Sequence, residues 1–157
     1  MAITEVGEAV RVLRPFLPKE EFSVMTLYAN RGSDKLAYQE KLLELANRIE
    51  TMPITYQQDG KGDDAIVYLH YFRRGSDWYI TEKDMEGGVE QAFGWACLNG
   101  DVENAGIGYI SIAELTELGV ELDLFFTPCP LREVKAGREH RAQALERLRN
   151  QPQVAVS

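Results

Sequence analysis

A chain of 157 residues, 45% hydrophobic and 10% aromatic, can bury one full core without a disulfide staple, and its two cysteines, Cys97 and Cys129, have neither C-x-x-C nor metal-site spacing. The net charge of −8 is uneven: residues 51–127 carry 4 basic and 14 acidic side chains, residues 128–157 carry 6 basic and 3 acidic. Phosphate binding draws on clustered Lys and Arg, so this excludes the middle of the chain as a nucleic-acid surface and leaves that option to the basic C-terminal segment alone.

The first residues, MAITEVGEAV, hold no basic-then-apolar leader, and no window approaches the ~20 apolar residues of a membrane span. The expectation is a cytoplasmic protein with reduced thiols and no membrane contact. Residues 4–13 predict a short helix with Thr4 as N-cap, ending near Pro15. Leu17-Pro18-Lys19-Glu20-Glu21 opens a second helix, running to about Tyr28 and broken by Asn30-Arg31-Gly32. Ser33 or Asp34 caps the clearest helix, Lys35–Thr51, whose apolar stripe is Tyr38, Leu42, Leu45, Ala46 and Ile49.

Residues 52–64 (MPITYQQDGKGDD) read as a loop. Its Asp59, Asp63 and Asp64 do not fit the EF-hand pattern, and no metal site is expected. Residues 65–72 (AIVYLHYF) make a strand covered on both faces, with Ile66, Tyr68, His70 and Phe72 on one of them. Arg73-Arg74-Gly75-Ser76-Asp77 is read as a five-residue hairpin loop, and residues 78–82 return as the next strand. Residues 91–98 and 107–111 supply two more strands, with Gly94 marking a bulge or a close approach. Ser111-Ile112-Ala113-Glu114 fits a capping box for a short helix stopping at Gly119. Residues 120–126 alternate as an edge strand with Val120, Leu122, Leu124 and Phe126 inward. Residues 138–150 form a last helix with the stripe Ala142, Leu145 and Leu148, and residues 151–157 are expected to fray. Helices first and strands after them argue an α+β fold: one domain with a mainly antiparallel sheet of about five strands, N-terminal helices and a C-terminal helix packed on it. Within it, residues 1–63 form the helical region, 64–134 the β-rich core and 135–157 the C-terminal helix and tail.

Four blocks in order, Asp77-Trp78-Tyr79-Ile80-Thr81-Glu82, Phe93-Gly94, Gly108-Tyr109-Ile110-Ser111-Ile112-Ala113-Glu114-Leu115 and Glu121-Leu122-Asp123-Leu124-x-Phe126-x-Pro128, make residues 64–134 resemble domain-of-unknown-function family 2958. The chain departs from that pattern at Gly106-Ile107. The resemblance implies a context, an accessory module of bacterial plasmids and phages, and carries no catalytic residues with it.

Nucleotide-binding, serine-hydrolase and zinc-protease motifs are absent, so no cofactor is expected. The leading reading is a non-enzymatic acidic module that engages an unidentified protein partner, with self-association left open. Its contact surface is the hairpin tip and acidic exit: Arg73, Arg74, Asp77, Trp78, Glu82, Asp84 and Glu86. One alternative is an antirestriction-type DNA mimic, drawing on the acidic middle and the implied context. A second is a small hydrolase-like enzyme using His70, Glu82, Asp84 and Cys129, in which paired carboxylates or a Cys/His pair supply acid, base and nucleophile.

Overall fold

The computed structural model describes residues 2–151; residues 152–157, most of the segment expected to fray, lie outside the described residues. Three helices come first, α1 (Val6–Leu13), α2 (Lys19–Arg31) and α3 (Lys35–Thr51). The bounds of α3 are those its periodicity predicts, and Leu42, Leu45, Ala46 and Ile49 are buried along one stripe. The caps differ from expectation. Glu5, not Thr4, precedes α1; Pro18 stands at the N-cap of α2, which extends to Arg31; and Asp34 caps α3 without a side-chain bond.

The strands are β1 (Ile66–Val67), β2 (Leu69–Arg73), β3 (Ser76–Glu82), β4 (Ala92–Cys97), β5 (Gly106–Ile110), β6 (Glu121–Leu122) and β7 (Cys129–Pro130), with α4 (Ile112–Glu117) before β6 and α5 (Leu131–Arg149) after β7. The main sheet is antiparallel in the order β5-β4-β3-β2-β6, and β1 pairs with β7 in a second, two-stranded sheet. The fold is α+β, as the order of elements predicts.

Four expectations are corrected. The single strand over 65–72 divides at Tyr68, so its first half can reach β7. The hairpin loop is a two-residue turn: Arg73 pairs with Ser76, and Arg74 and Gly75 have φ of 48° and 84°, the signature of a type I′ turn that matches strand twist. The edge strand over 120–126 shrinks to Glu121–Leu122. Asp123 ends it, because its carboxylate accepts the Phe125 N–H at 3.0 Å while its own N–H donates to the His70 carbonyl at 2.8 Å. Phe126 consequently packs on the opposite side of the sheet from Leu122. Finally, α5 begins at Leu131, right after Pro130, because Leu131 and Val134 bury against the sheet. The stripe expected to anchor it is exposed in part, with Leu148 at 62%.

Both faces of the sheet are covered. α1 to α4 pack on Leu69, Tyr71, Ile80, Ala92 and Leu122, and the start of α5 packs on Val67, Tyr79, Trp95 and Cys97. Among the described residues no helix is long and apolar enough to cross a membrane.

Candidate functional site

The covering by α5 is incomplete. It reaches Tyr79 of β3 and Trp95 of β4 but leaves the same face of β5 bare, with Ile107 60% and Tyr109 52% exposed. Strand registers place Phe93 opposite Tyr109 and Trp95 opposite Ile107, so these four rings and side chains share one face. Phe93 and Tyr109 meet edge-on, their centroids 5.7 Å apart. From the loop before β1, Tyr56 arches over to hydrogen-bond the Tyr109 hydroxyl through its own. Tyr56 holds φ at 77°, a region that strains a bulky side chain, so the loop keeps this ring in place at a cost.

A β-bulge decides what else reaches this face. Ile80 pairs with Gly94, but Glu82, not Thr81, pairs with Phe93, so one extra residue sits in β3. Without the bulge, alternation would send Glu82 into the apolar helical layer beside Ile80. With it, Glu82 turns onto the Phe93 face. Gly94 makes the bulge possible: a Cβ there would overlap the Tyr79 carbonyl and lie 3.0 Å from the Ile80 Cα. The sequence expectation of a close approach at Gly94 is met, and the bulge lies on the facing strand.

Glu82 is only 3% exposed, and it lines a pocket of about 200 Å³ with Tyr56, Gln58, Phe93, Ile107 and Leu131. Its carboxylate accepts from the Thr81 hydroxyl and, at 3.4 Å, from the Gln58 N–H. The Gln58 side chain is itself fully engaged, donating to the Ile66 and Thr81 carbonyls at 2.8 Å and accepting from the Ile66 N–H at 2.7 Å. A second concavity, about 360 Å³, lies on the other side of Tyr56 and is lined by Asp84, Met85, Glu86, Glu90 and Tyr109 among others. Among the described residues no basic side chain lines either one.

The residues expected to form one hairpin surface are separated. Arg73 and Arg74 are exposed at the tip, where Arg73 donates to the Leu118 carbonyl. Trp78 points the other way, half-buried against the helical layer. Asp77 is buried. Its carboxylate lies 2.7 Å from His70 Nε2 and accepts from Arg138 Nη2 at 2.7 Å, while His70 Nδ1 lies 3.0 Å from Asp123. The His70 ring stacks on Tyr79 with centroids 4.5 Å apart, and Arg138 Nε donates to the Tyr79 hydroxyl at 2.6 Å. Burial, then Asp77, pushes the Tyr79 phenol up to about 12, so it stays neutral. This cluster ties α5 and the turn after β6 to the sheet.

Glu82 and Asp84 do not share a face either, because β3 ends at Glu82. Lys83 lies between them and donates from Nζ to the Ile49 and Glu50 carbonyls at 2.7 and 3.2 Å, closing the end of α3. Asp84 accepts the N–H groups of Glu86, Gly88 and Glu90 at 3.0, 2.6 and 3.0 Å. Burial works to raise its carboxyl, but these backbone bonds prevail and hold it below the ordinary range. Asp84 is a loop organiser, and Glu86 alone of that acidic run is exposed.

Of the residues named for an enzyme, His70 and Cys129 line one concavity, while Glu82 and Asp84 lie elsewhere. Both His70 nitrogens lie within hydrogen-bond distance of carboxylates, so each already has an internal partner. Burial, then Glu133, raises the Cys129 thiol away from the reactive thiolate. The acids expected of a DNA mimic are partly spent internally: Asp77 and Asp84 as above, Asp63 on Lys135 and Asp64 on Arg132.

Sequence reasoning singled out Glu82 but missed Tyr56, Phe93, Ile107 and Tyr109 as a surface. The one available signal was the uncharged run over residues 107–111, read as a strand without its exposure. Compared with protein-family models, curated proteins and solved structures, the chain matches none, so the resemblance to family 2958 gains no support from them.

Proposed function

We propose that this chain is a non-enzymatic protein-interaction module whose contact surface is the bare face over β4 and β5. The observation that carries this reading is the exposure of Ile107 and Tyr109 side by side, next to two concavities without a basic side chain. An exposed apolar patch rimmed by acids suits a partner segment with apolar residues and Lys or Arg beside them. Glu86 and Glu90 on one flank and Asp59 on the other supply the complementary charge. The resemblance to a plasmid- and phage-borne family adds a context to the same proposal, an accessory protein of a mobile element.

A short peptide mixing valine and lysine, titrated into isotope-labelled protein, is expected to shift the amide signals of Phe93, Ile107 and Tyr109. Ile107→Ala, at an exposed position, should change stability by less than about 0.5 kcal/mol. It should nonetheless weaken peptide binding by roughly tenfold, as removal of a contact-centre side chain does. Equal binding of a valine–glutamate peptide would overturn the charge argument. Shifts confined to Arg73, Arg74 and Gly75 would return the contact to the hairpin tip and end this reading.

A further inference from the structure

We propose that the Glu82 pocket is a specificity pocket for one long cationic side chain, Lys or Arg, of the partner segment; this rests on the interaction reading above and names what that face selects. A pocket of about 200 Å³ is smaller than the ~300–1,000 Å³ of small-molecule sites, and larger than the ~30 Å³ share of a single water. It has the size of a side chain.

Its walls and its floor ask for different chemistry. Phe93, Ile107 and Leu131 offer apolar surface to an aliphatic stem, and the Glu82 carboxylate offers charge to a head group. Among the described residues no basic side chain forms an ion pair with Glu82. A buried carboxylate with hydrogen bonds but no counter-charge is costly, and a glutamine would avoid that cost, accepting the Gln58 N–H through its oxygen and donating its amide to the Thr81 hydroxyl, which itself donates to the Phe93 carbonyl. The missing cation is not supplied by the adjacent residue, for Lys83 turns back to the carbonyls of Ile49 and Glu50. The acid is also aimed on purpose by the backbone. The bulge in β3, accommodated by Gly94, rotates Glu82 out of the helical layer and onto the bare face.

Much of the pocket is held open by regular structure. Thr81, Glu82, Phe93 and Ile107 stand on strands and Leu131 opens α5, while Gln58, in the loop before β1 that supplies the remaining wall, is locked by three bonds to backbone atoms of β1 and β3. A ligand cation therefore meets a preformed site and orders little on entry.

Two probes test the inference separately from the reading beneath it. The first is free n-butylammonium, with n-butanol as its neutral isostere, followed by the carboxyl carbon shift of Glu82 and the amide shift of Gln58. The second is a pair of valine-rich peptides differing only by lysine or norleucine at one position. The ammonium but not the alcohol is expected to move the Glu82 signal. The lysine peptide should bind roughly ten- to a hundredfold more tightly than the norleucine one, the scale of a bond to a buried charge. Glu82→Gln should erase that preference and melt no lower than the parent protein, which keeps the variant informative. If both peptides shift Ile107 and Tyr109 with equal affinity, the pocket inference fails and the interaction surface survives. If neither peptide binds but n-butylammonium moves the Glu82 and Gln58 signals in the parent and leaves the Gln58 amide unmoved in Glu82→Gln, the cation pocket stands and the interaction surface fails. No response of Glu82 to the ammonium overturns the inference.

Discussion

The two faces of the sheet are covered by different means. On the first, α1 to α4 lay an unbroken apolar layer, with Leu13, Met25, Leu42, Leu45 and Ile49 over Leu69, Tyr71, Ile80 and Leu122. A polar group within it, the Tyr71 hydroxyl, donates to the Phe16 carbonyl at 2.6 Å, and burial raises its phenol well above the ordinary value. On the second face a single helix buries Leu131 and Val134, then is tied down by the bonds of Arg138 to Asp77 and Tyr79, and leaves β5 uncovered. Apolar burial is non-directional and grows with area, so the first face supplies most of the stability. Hydrogen-bonded ions are directional. They fix α5 in place with little covered area and so leave room beside it for a site.

The contrast breaks most sharply at the bulge, where the two faces exchange a residue. Gly94→Ala should destabilise the protein by roughly 3 kcal/mol, the upper end for forcing atoms into a packed interior. Its Cβ meets the Tyr79 backbone, which cannot swing aside as a side chain would. Denaturant unfolding measures this, and a loss near zero would mean the bulge has space to spare.

A smaller effect probes the polar tether. Arg138→Met keeps the stem of the side chain but leaves Asp77 with His70 alone, and should cost about 2 kcal/mol, as loss of a bond to a buried charge does. Protection of α5 amides from hydrogen exchange should fall with it, while α3 keeps its own relative to global unfolding. If α5 is unaffected, Leu131 and Val134 hold it unaided and the distinction between the faces weakens.

A third effect is a pH slope arising on the helical side. Burial, reinforced by Glu121 and Asp123, lifts the Glu21 carboxyl from 4.5 to about 7, although the Leu122 N–H bonds it and pulls the other way. Between those values the folded chain keeps a proton that the unfolded chain has released. Stability from this group is therefore present at low pH and lost as pH rises through about 7. Asp84 contributes with the opposite sign: its carboxyl is depressed, so its contribution is present above the ordinary carboxylate range and disappears as pH falls. Glu21→Gln should flatten the decline toward neutral pH in denaturant midpoints. An unchanged decline would assign it to another group.

Local pattern made α3 legible to the residue, since period and burial agree along its whole length. It also gave the Ser111 cap, whose Oγ accepts the Glu114 N–H at 3.1 Å, and the turn glycine at Gly119 with φ of 79°. It gave strands β3 to β5 with errors of a residue or two at their ends, and β2 as the second half of a longer strand that the structure divides at Tyr68. The shortened β6 was not legible, because Asp123 is drawn off by His70, 53 residues away in sequence. The early start of α5 was missed for a similar reason. Leu131 and Val134 look unremarkable until Tyr79 and Trp95 lie beneath them.

The sequence by itself determined the class of fold, the helical layer and the presence of an acid at position 82, because periodicity and propensity act over short distances along the chain. Which way that acid points was decided only by the tertiary structure. One bulge, set by how β3 and β4 align across Gly94, reverses the face of Glu82, the last residue of β3. The exposure of Ile107 and Tyr109 was decided there too, since a strand's pattern does not say where its covering helix will end.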